Sequence, residues 1–327
     1  MTTRRTLLTA AAAMPLAAPL AAPPAVAQTA WPNRPVRIVV PFAAGGSVDV
    51  MARVIAGRLQ ERTGQTFTVE NRTGANGTIG GIAVSQATPD GYTLLVSASV
   101  QTIARLVMRN PGYDPLTDLK PIARTGEGPC LIACNPNRPQ KTMAEVKAAA
   151  IANPRDWSFG VSALGSAGHL STIQFTRAIG ADLTLVPYRG TTPALADLMG
   201  GNIGVQIDPM LAMLPPVRAG NLHGLALTAP RRNAAAPDLA TTAESGFPEV
   251  DAQSWWVVWA PPRTPDTVTA RIAGEVEAIM AEPAVRTRLE GLAIVPLFQK
   301  GAELDAYIQR DFERAQTLLR LAGVQPE

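Results

Sequence analysis

The 327-residue chain is poor in the side chains that most site chemistry requires. It has two cysteines and two histidines, His169 and His223, too few to supply a structural zinc centre comfortably. Both cysteines fall in Cys130-Leu131-Ile132-Ala133-Cys134. On a strand, positions four apart are separated by about 13 Å, far beyond disulfide reach, so two buried thiols and no bridge or metal are expected. Charged residues make up only 17%, below the usual quarter, which leaves room for large buried interfaces. Neither sign of charge dominates, with 29 basic residues against 26 acidic, which argues against nucleic acid or a polyanionic surface as partner. Catalytic signatures are missing too. There is no Walker motif, and Gly74-x-x-Gly77-x-x-Gly80 lacks the spacing of a dinucleotide loop. Neither Ser162 nor Ser166 forms G-x-S-x-G, because Leu164 stands where each needs a glycine. No cofactor and no catalytic residue are expected.

The first 27 residues have the pattern of an address. Arg4-Arg5 precede an alanine-rich run that reaches Ala22, and Ala25-Val26-Ala27 offers a small-x-small cleavage site. Paired arginines point to the twin-arginine export route. Pro15, Pro19, Pro23 and Pro24 interrupt the apolar stretch, which disfavours a membrane-spanning helix. No later run is long and apolar enough to span a bilayer, so a soluble mature chain starting near Gln28 is expected. About 300 residues suit two domains.

Apolar, β-branched runs then alternate with small-residue turns and helical patterns. Val36–Phe42 leads through Ala43-Ala44-Gly45-Gly46-Ser47 into a helix over 48–62, with Val50, Met51, Val54, Ile55 and Leu59 on one face. Phe67–Asn71 leads through Gly74–Thr78 into a second helix reaching Ala87. Tyr92–Val96 is a third strand, followed by Ser97-Ala98-Ser99. The rhythm returns after Cys134, with strands at 157–161, 183–188, 203–208 and 222–227. Such alternation implies parallel sheets covered on both faces. Segments 130–134 and 255–260 both run into proline-rich turns before a helix, and could be two crossings between a pair of domains. The tail from Asp266 to Ala322 is expected to be mostly helical.

In open α/β sheets, ligands sit beyond the carboxyl ends of the strands. Here those ends hold Gly45, Gly46 and Ser47; Gly77 and Thr78; Ser162, Gly165 and Ser166; and Gly190 and Thr191. Helix N-termini carry unpaired N–H groups and partial positive charge, so four of them around one cleft would hold a carboxylate. Taken singly, each loop reads better as an ordinary N-cap or turn; it is the run of four at strand ends that points to a site. Asp49 is a ligand contact or a complement to its own helix dipole. Asp208 could bind water or a ligand amine, or be a solvated turn residue. His169 reads as a capping or core residue. The Trp255, Trp256 and Trp259 cluster packs the crossing strand or stacks on a ligand ring.

Together these blocks resemble the Bug family of extracytoplasmic solute receptors, the binding components of tripartite tricarboxylate transporters. The resemblance rests on Trp31–Pro35, Val39–Asp49, Glu70–Gly77, Pro89–Leu94, Gly165–Leu170, Val186–Gly190 and Pro237–Gly246, in that order along nearly the whole mature chain. It implies an α/β, two-lobed periplasmic-binding-protein fold (Venus-flytrap, type II-like) with a mainly parallel sheet in each lobe. Residues 28–129 and 256–327 would form lobe 1, and 130–255 lobe 2. It implies a periplasmic monomer that captures a small organic carboxylate for membrane permease subunits. Ala44, Gly45, Gly46, Ser47, Asp49, Gly77, Thr78 and Ser97 would serve the site from one lobe. Ser162, Gly165, Ser166, Tyr188, Arg189, Gly190, Thr191 and Asp208 would serve it from the other, with Arg189 either meeting a second carboxylate or standing as a surface charge. Ala44 and Ala240 replace prolines usual in the family, and Ala163-Leu164 replaces smaller or more polar residues, which could narrow or dry the site. A periplasmic sensor and a secreted hydrolase are the rival functions; a transcription regulator lacks a DNA-binding segment.

Overall fold

The computed structural model describes residues 31–326; the expected export signal lies outside them. The chain runs β1 (Val36–Val40), α1 (Ser47–Thr63), β2 (Phe67–Asn71), α2 (Thr78–Ser85), β3 (Thr93–Ala98), α3 (Val100–Val107) and β4 (Lys120–Cys134). It continues with α4 (Met143–Ala152), β5 (Ser158–Val161), α5 (Ala167–Ile179), β6 (Thr184–Pro187), α6 (Thr191–Gly200), β7 (Val205–Pro209), α7 (Met210–Arg218) and β8 (His223–Leu227). Then come β9 (Gln253–Ala260), α8 (Asp266–Ala281), α9 (Pro283–Gly291), β10 (Val295–Gln299) and α10 (Gly301–Leu321).

The strands form one ten-stranded arrangement in the order β2-β1-β3-β9-β4-β7-β5-β6, with β10 and β8 also paired to β4. Strands β2, β1 and β3 are mutually parallel, as are β6, β5 and β7. The central strands β4 and β9 run against their neighbours. Each half of the sheet is therefore mixed, a correction to the mainly parallel expectation. The chain crosses between halves on β4 and β9, which pair antiparallel with each other and with the parallel strands on either side.

Strand β4 is far longer than the expected 130–134. Its first part, Lys120 to Pro129, contains Pro121, Gly126, Gly128 and the charged Arg124 and Glu127, poor strand-formers. It extends because β9 and β10 hydrogen-bond to it from both sides, with register shifts near Pro121 and Arg124. Tertiary pairing outweighs local preference here. Strand β10, hidden in the expected helical tail, owes its form to the same pairing. At Pro129–Cys130 the partners of β4 change from β9 and β10 to β7 and β8.

One core packs α1 and α8 on β1, β3 and β9, with Ile38, Met51, Ile55, Val258 and Ile279 inside. Another joins α4 and α5 to the Cys130–Cys134 part of β4, where both thiols are buried and free. Trp255, Trp256 and Trp259 are buried in the core of β9. Helix α10 crosses the junction: Ala315 and Leu319 pack with Ile103 and Val107 of α3 and with Leu170 and Ile173 of α5.

Helix α5 lies hard against β7. A β-carbon on Gly168 would stand 1.9 Å from the carbonyl oxygen of Ile207, where only hydrogen fits. Helix propensity alone would make Gly168→Ala stabilising by about 1 kcal/mol. The packing reverses the sign: denaturant unfolding of this variant should show a loss of about 1–3 kcal/mol.

Candidate functional site

Where the two halves of the sheet meet, four helices begin. The first residues of α1 (Gly46, Ser47, Val48), α3 (Ser99, Val100), α5 (Ser166, Ala167) and α6 (Gly190, Thr191) line one cavity of about 40 Å³, room for about three waters. Ser162, Asp208 and Ser254 complete its polar wall, and Phe42, Ala98, Ala163 and Pro209 its apolar one. Helices α1, α3 and α6 have no side-chain cap. No side chain consumes their leading N–H groups, which are left for whatever enters. Only α5 is capped, by Ser166 Oγ accepting from the His169 N–H.

Asp49 holds the loop that presents α1. Its carboxylate accepts from Gly45 N at 3.0 Å, Arg53 Nε at 2.8 Å and Asn71 Nδ2 at 3.0 Å. Burial pushes its pKa up, but Arg53, the Gly45 N–H and Asn71 together outweigh this and leave it below the ordinary value. Asp49 is thus spent on the loop and does not line the cavity. Gly45 likewise gives its N–H to Asp49, and Ala44 gives its carbonyl to Thr192 Oγ1 at 2.9 Å.

That last bond crosses the cleft, and a second crossing is stronger. Asn76 donates to Leu164 O at 2.9 Å and accepts from Leu164 N at 2.8 Å, so the two halves are drawn together. Gly190 has φ +133, and a β-carbon there would press on Ala43 N at 3.2 Å. The close approach of the facing loops therefore needs glycine at this position.

A second hollow of about 160 Å³ adjoins the cavity, sharing Phe42, Ser162 and Ala163 with it and bounded by Gly77, Leu164, Tyr188 and Arg189. Of the sequence-derived residues, Gly46, Ser47, Ser162, Ser166, Gly190, Thr191 and Asp208 face the cavity. Gly77, Tyr188 and Arg189 face the hollow. Thr78 turns back to Ala75 O, Ser97 bonds the Gln101 side chain, and Gly165 N serves His169 Nδ1. These three stand behind the wall and not on it, because each hydroxyl or N–H is taken by its own turn. Ser99 takes the place expected of Thr78: the fourth helix end at the cavity is that of α3, not α2. The Ser-x-helix pattern at 97–100 carried that signal, whereas nothing local marks Ser254, Ala163 or Asn76.

His169 is buried, and burial lowers its pKa to about 4. Its Nδ1 accepts from Gly165 N at 2.9 Å, while Ser166 Oγ is met by its backbone N–H. The pair is a helix cap, not a nucleophile with its base.

Asp208 is the charged member of the cavity wall and is almost fully buried. Ser162 Oγ donates to its Oδ1 at 3.0 Å and Gln206 Nε2 to its Oδ2 at 2.9 Å. Burial raises its pKa to about 6, and the neighbouring Thr191, Ser162 and Gln206 side chains hold it from going higher. Cys130 lies close enough for the same charge to help raise its thiol pKa, after burial itself.

The family model described as the tripartite tricarboxylate transporter family receptor matches residues 51–324. Protein BugT of Bordetella pertussis is 35% identical over 306 residues, 93% of each chain. The solved structure of Rpa4515 of R. palustris with adipate is 35% identical, with a TM-score of 0.88 over 91% of this chain and 100% of that one. MatC of Rhodopseudomonas palustris with bound malate is 30% identical, with a TM-score of 0.82 over 88% and 100%.

Two predictions follow from these contacts. Because Asp208 binds its proton more tightly folded than unfolded, its contribution to stability is full below about pH 4 and is lost as pH rises through 6. The cost at neutral pH is up to about 3 kcal/mol. Asp208→Asn should therefore gain stability relative to the parent at pH 7.5 and lose that advantage at pH 4.5, as followed by thermal melts at both. Asp49→Ala removes the charged acceptor of the Gly45, Arg53 and Asn71 hydrogen bonds and should cost about 1–3 kcal/mol in urea unfolding.

Proposed function

Because the chain belongs to the tripartite tricarboxylate transporter receptor family, we propose that its cavity captures a small organic carboxylate for delivery to membrane permease subunits. One observation carries the reading: four helix N-termini converge on a single cavity, and three of them have no side-chain cap. Each uncapped end favours an anion by about 0.3–2 kcal/mol, without a buried arginine. The adipate and malate of the two related structures share the carboxylate that such a cavity would hold.

The residues that carry the capture are Gly46, Ser47 and Ser99 on one side and Ser162, Ser166, Gly190 and Thr191 on the other. Lobe 1 comprises 28–129 and 256–327, and lobe 2 comprises 130–255; the change of partners along β4 at Pro129–Cys130 supports that division. A ligand bridging both sides binds the closed arrangement better than the open one, and this difference drives closure. The Asn76–Leu164 pair holds the closed arrangement. The twin-arginine leader takes the chain to the periplasm, where it acts as a monomer. Among the described residues, no helix is long and apolar enough to cross a membrane.

A thermal-shift screen of the chain from Gln28 onward against small carboxylates tests this. A ligand at about 100 times its Kd adds roughly 2.7 kcal/mol of stability and should lift the melting temperature by several degrees. Folded, ligand-free protein that responds to no carboxylate would remove the capture reading.

A further inference from the structure

The charges and hydroxyls of the cavity do not match a bare carboxylate. A cavity built only to attract an anion has no use for a carboxylate in its own wall, yet Asp208 is there. An ionised aspartate is an acceptor only, so a hydrogen bond with a side-chain hydroxyl must be donated to it. Ser162 gives its single proton to Oδ1 at 3.0 Å. A hydroxyl has one proton and two lone pairs. With its proton committed, Ser162 can offer the cavity lone pairs and nothing else.

The other hydroxyls differ. Ser166 Oγ accepts from the His169 N–H, which leaves its proton free to donate. The hydroxyls of Ser47, Ser99 and Ser254 make no hydrogen bond among the described residues. The cavity thus has a donating side, made of helix N–H groups and free hydroxyls, and a fixed accepting point at Ser162.

Resting on carboxylate capture, we infer that Asp208 sets the polarity of this site, so that the preferred ligand carries a hydrogen-bond donor on the carbon next to its carboxylate. The ligand class is a 2-hydroxy or 2-amino acid. The size of the cavity, about 40 Å³, sets the spacing: a carboxylate at the helix ends leaves room for a donor only one bond from the carboxyl carbon. Whatever lies beyond the second carbon extends toward the adjoining hollow past Phe42. Asp208 acts here as a positioning residue, through the Ser162 hydroxyl that it orients.

The test is calorimetric titration at pH 7.5 with matched acids differing only at the second carbon: propionate, lactate, alanine and pyruvate, and succinate, malate, aspartate and oxaloacetate. Within the better-bound set, the 2-hydroxy or 2-amino member should bind at least tenfold more tightly than the unsubstituted and 2-oxo members. The readout is this ratio, which a purely structural loss would leave unchanged. Ser162→Ala should collapse the ratio, whatever it does to the overall affinity, and a Ser162→Ala protein that keeps the ratio overturns the inference. An unsubstituted or 2-oxo acid that binds as tightly as its donor-bearing partner overturns the inference and leaves carboxylate capture standing. Absence of binding by every member, together with a silent wider carboxylate screen, overturns both.

Discussion

Strand β4 passes through both halves of the sheet, and the place where it exchanges β9 and β10 for β7 and β8 fixes the line along which the cleft lies. On either side of that line the parallel strands β1, β3, β5 and β6 end facing the junction, and each is followed by a loop and a helix. The helices must therefore start at the cleft. Their N-termini converge because strand direction and the crossing point leave them no other place. The anion-attracting character of the cavity is thus a property of topology before it is a property of any side chain.

A site made this way has an unusual economy of charge. Backbone N–H groups and hydroxyls supply the polarity, while the acids nearby are engaged with other protein groups: Asp49 with the Gly45 loop and Arg53, Asp208 with Ser162 and Gln206. Asp49 makes the loop rigid from behind. Asp208 instead reaches the wall itself and decides which way the Ser162 hydroxyl points. The raised pKa of Asp208 is the energetic trace of a charge kept in a nearly dry place by neutral donors alone. Such a cost is retained where the orientation that it enforces is useful.

Much of this was legible along the chain. The alternation of β-branched runs with small-residue turns identified β1, β2, β3, β5, β6, β7 and β8 closely, and the turns Gly45–Ser47, Ser162–Ser166 and Gly190–Thr191 were recognisable as helix starts near a site. The resemblance to solute receptors, carried by the ordered blocks from Trp31 to Gly246, agrees with the family match and with the related structures. The first part of β4 and the whole of β10 were not legible, because glycine, proline and charge mask a strand that exists only through its partners. Thr78 and Ser97 looked like site residues for the same local reasons as Ser47 and Ser166, yet their hydroxyls close their own turns.

Period, turn chemistry and cap residues are local, so the sequence by itself determined the strands with strong alternation, the helix starts and the burial of the Cys130 and Cys134 thiols. Which four helix ends share a cavity, which acid faces it and which hydroxyls have a proton to give depend on contacts between residues far apart in the chain. Asn76 meets Leu164 across 88 positions, and Ser162 meets Asp208 across 46. Only the tertiary structure decided those, because a hydrogen bond of this kind is set by where the backbone brings two groups and not by what either group is.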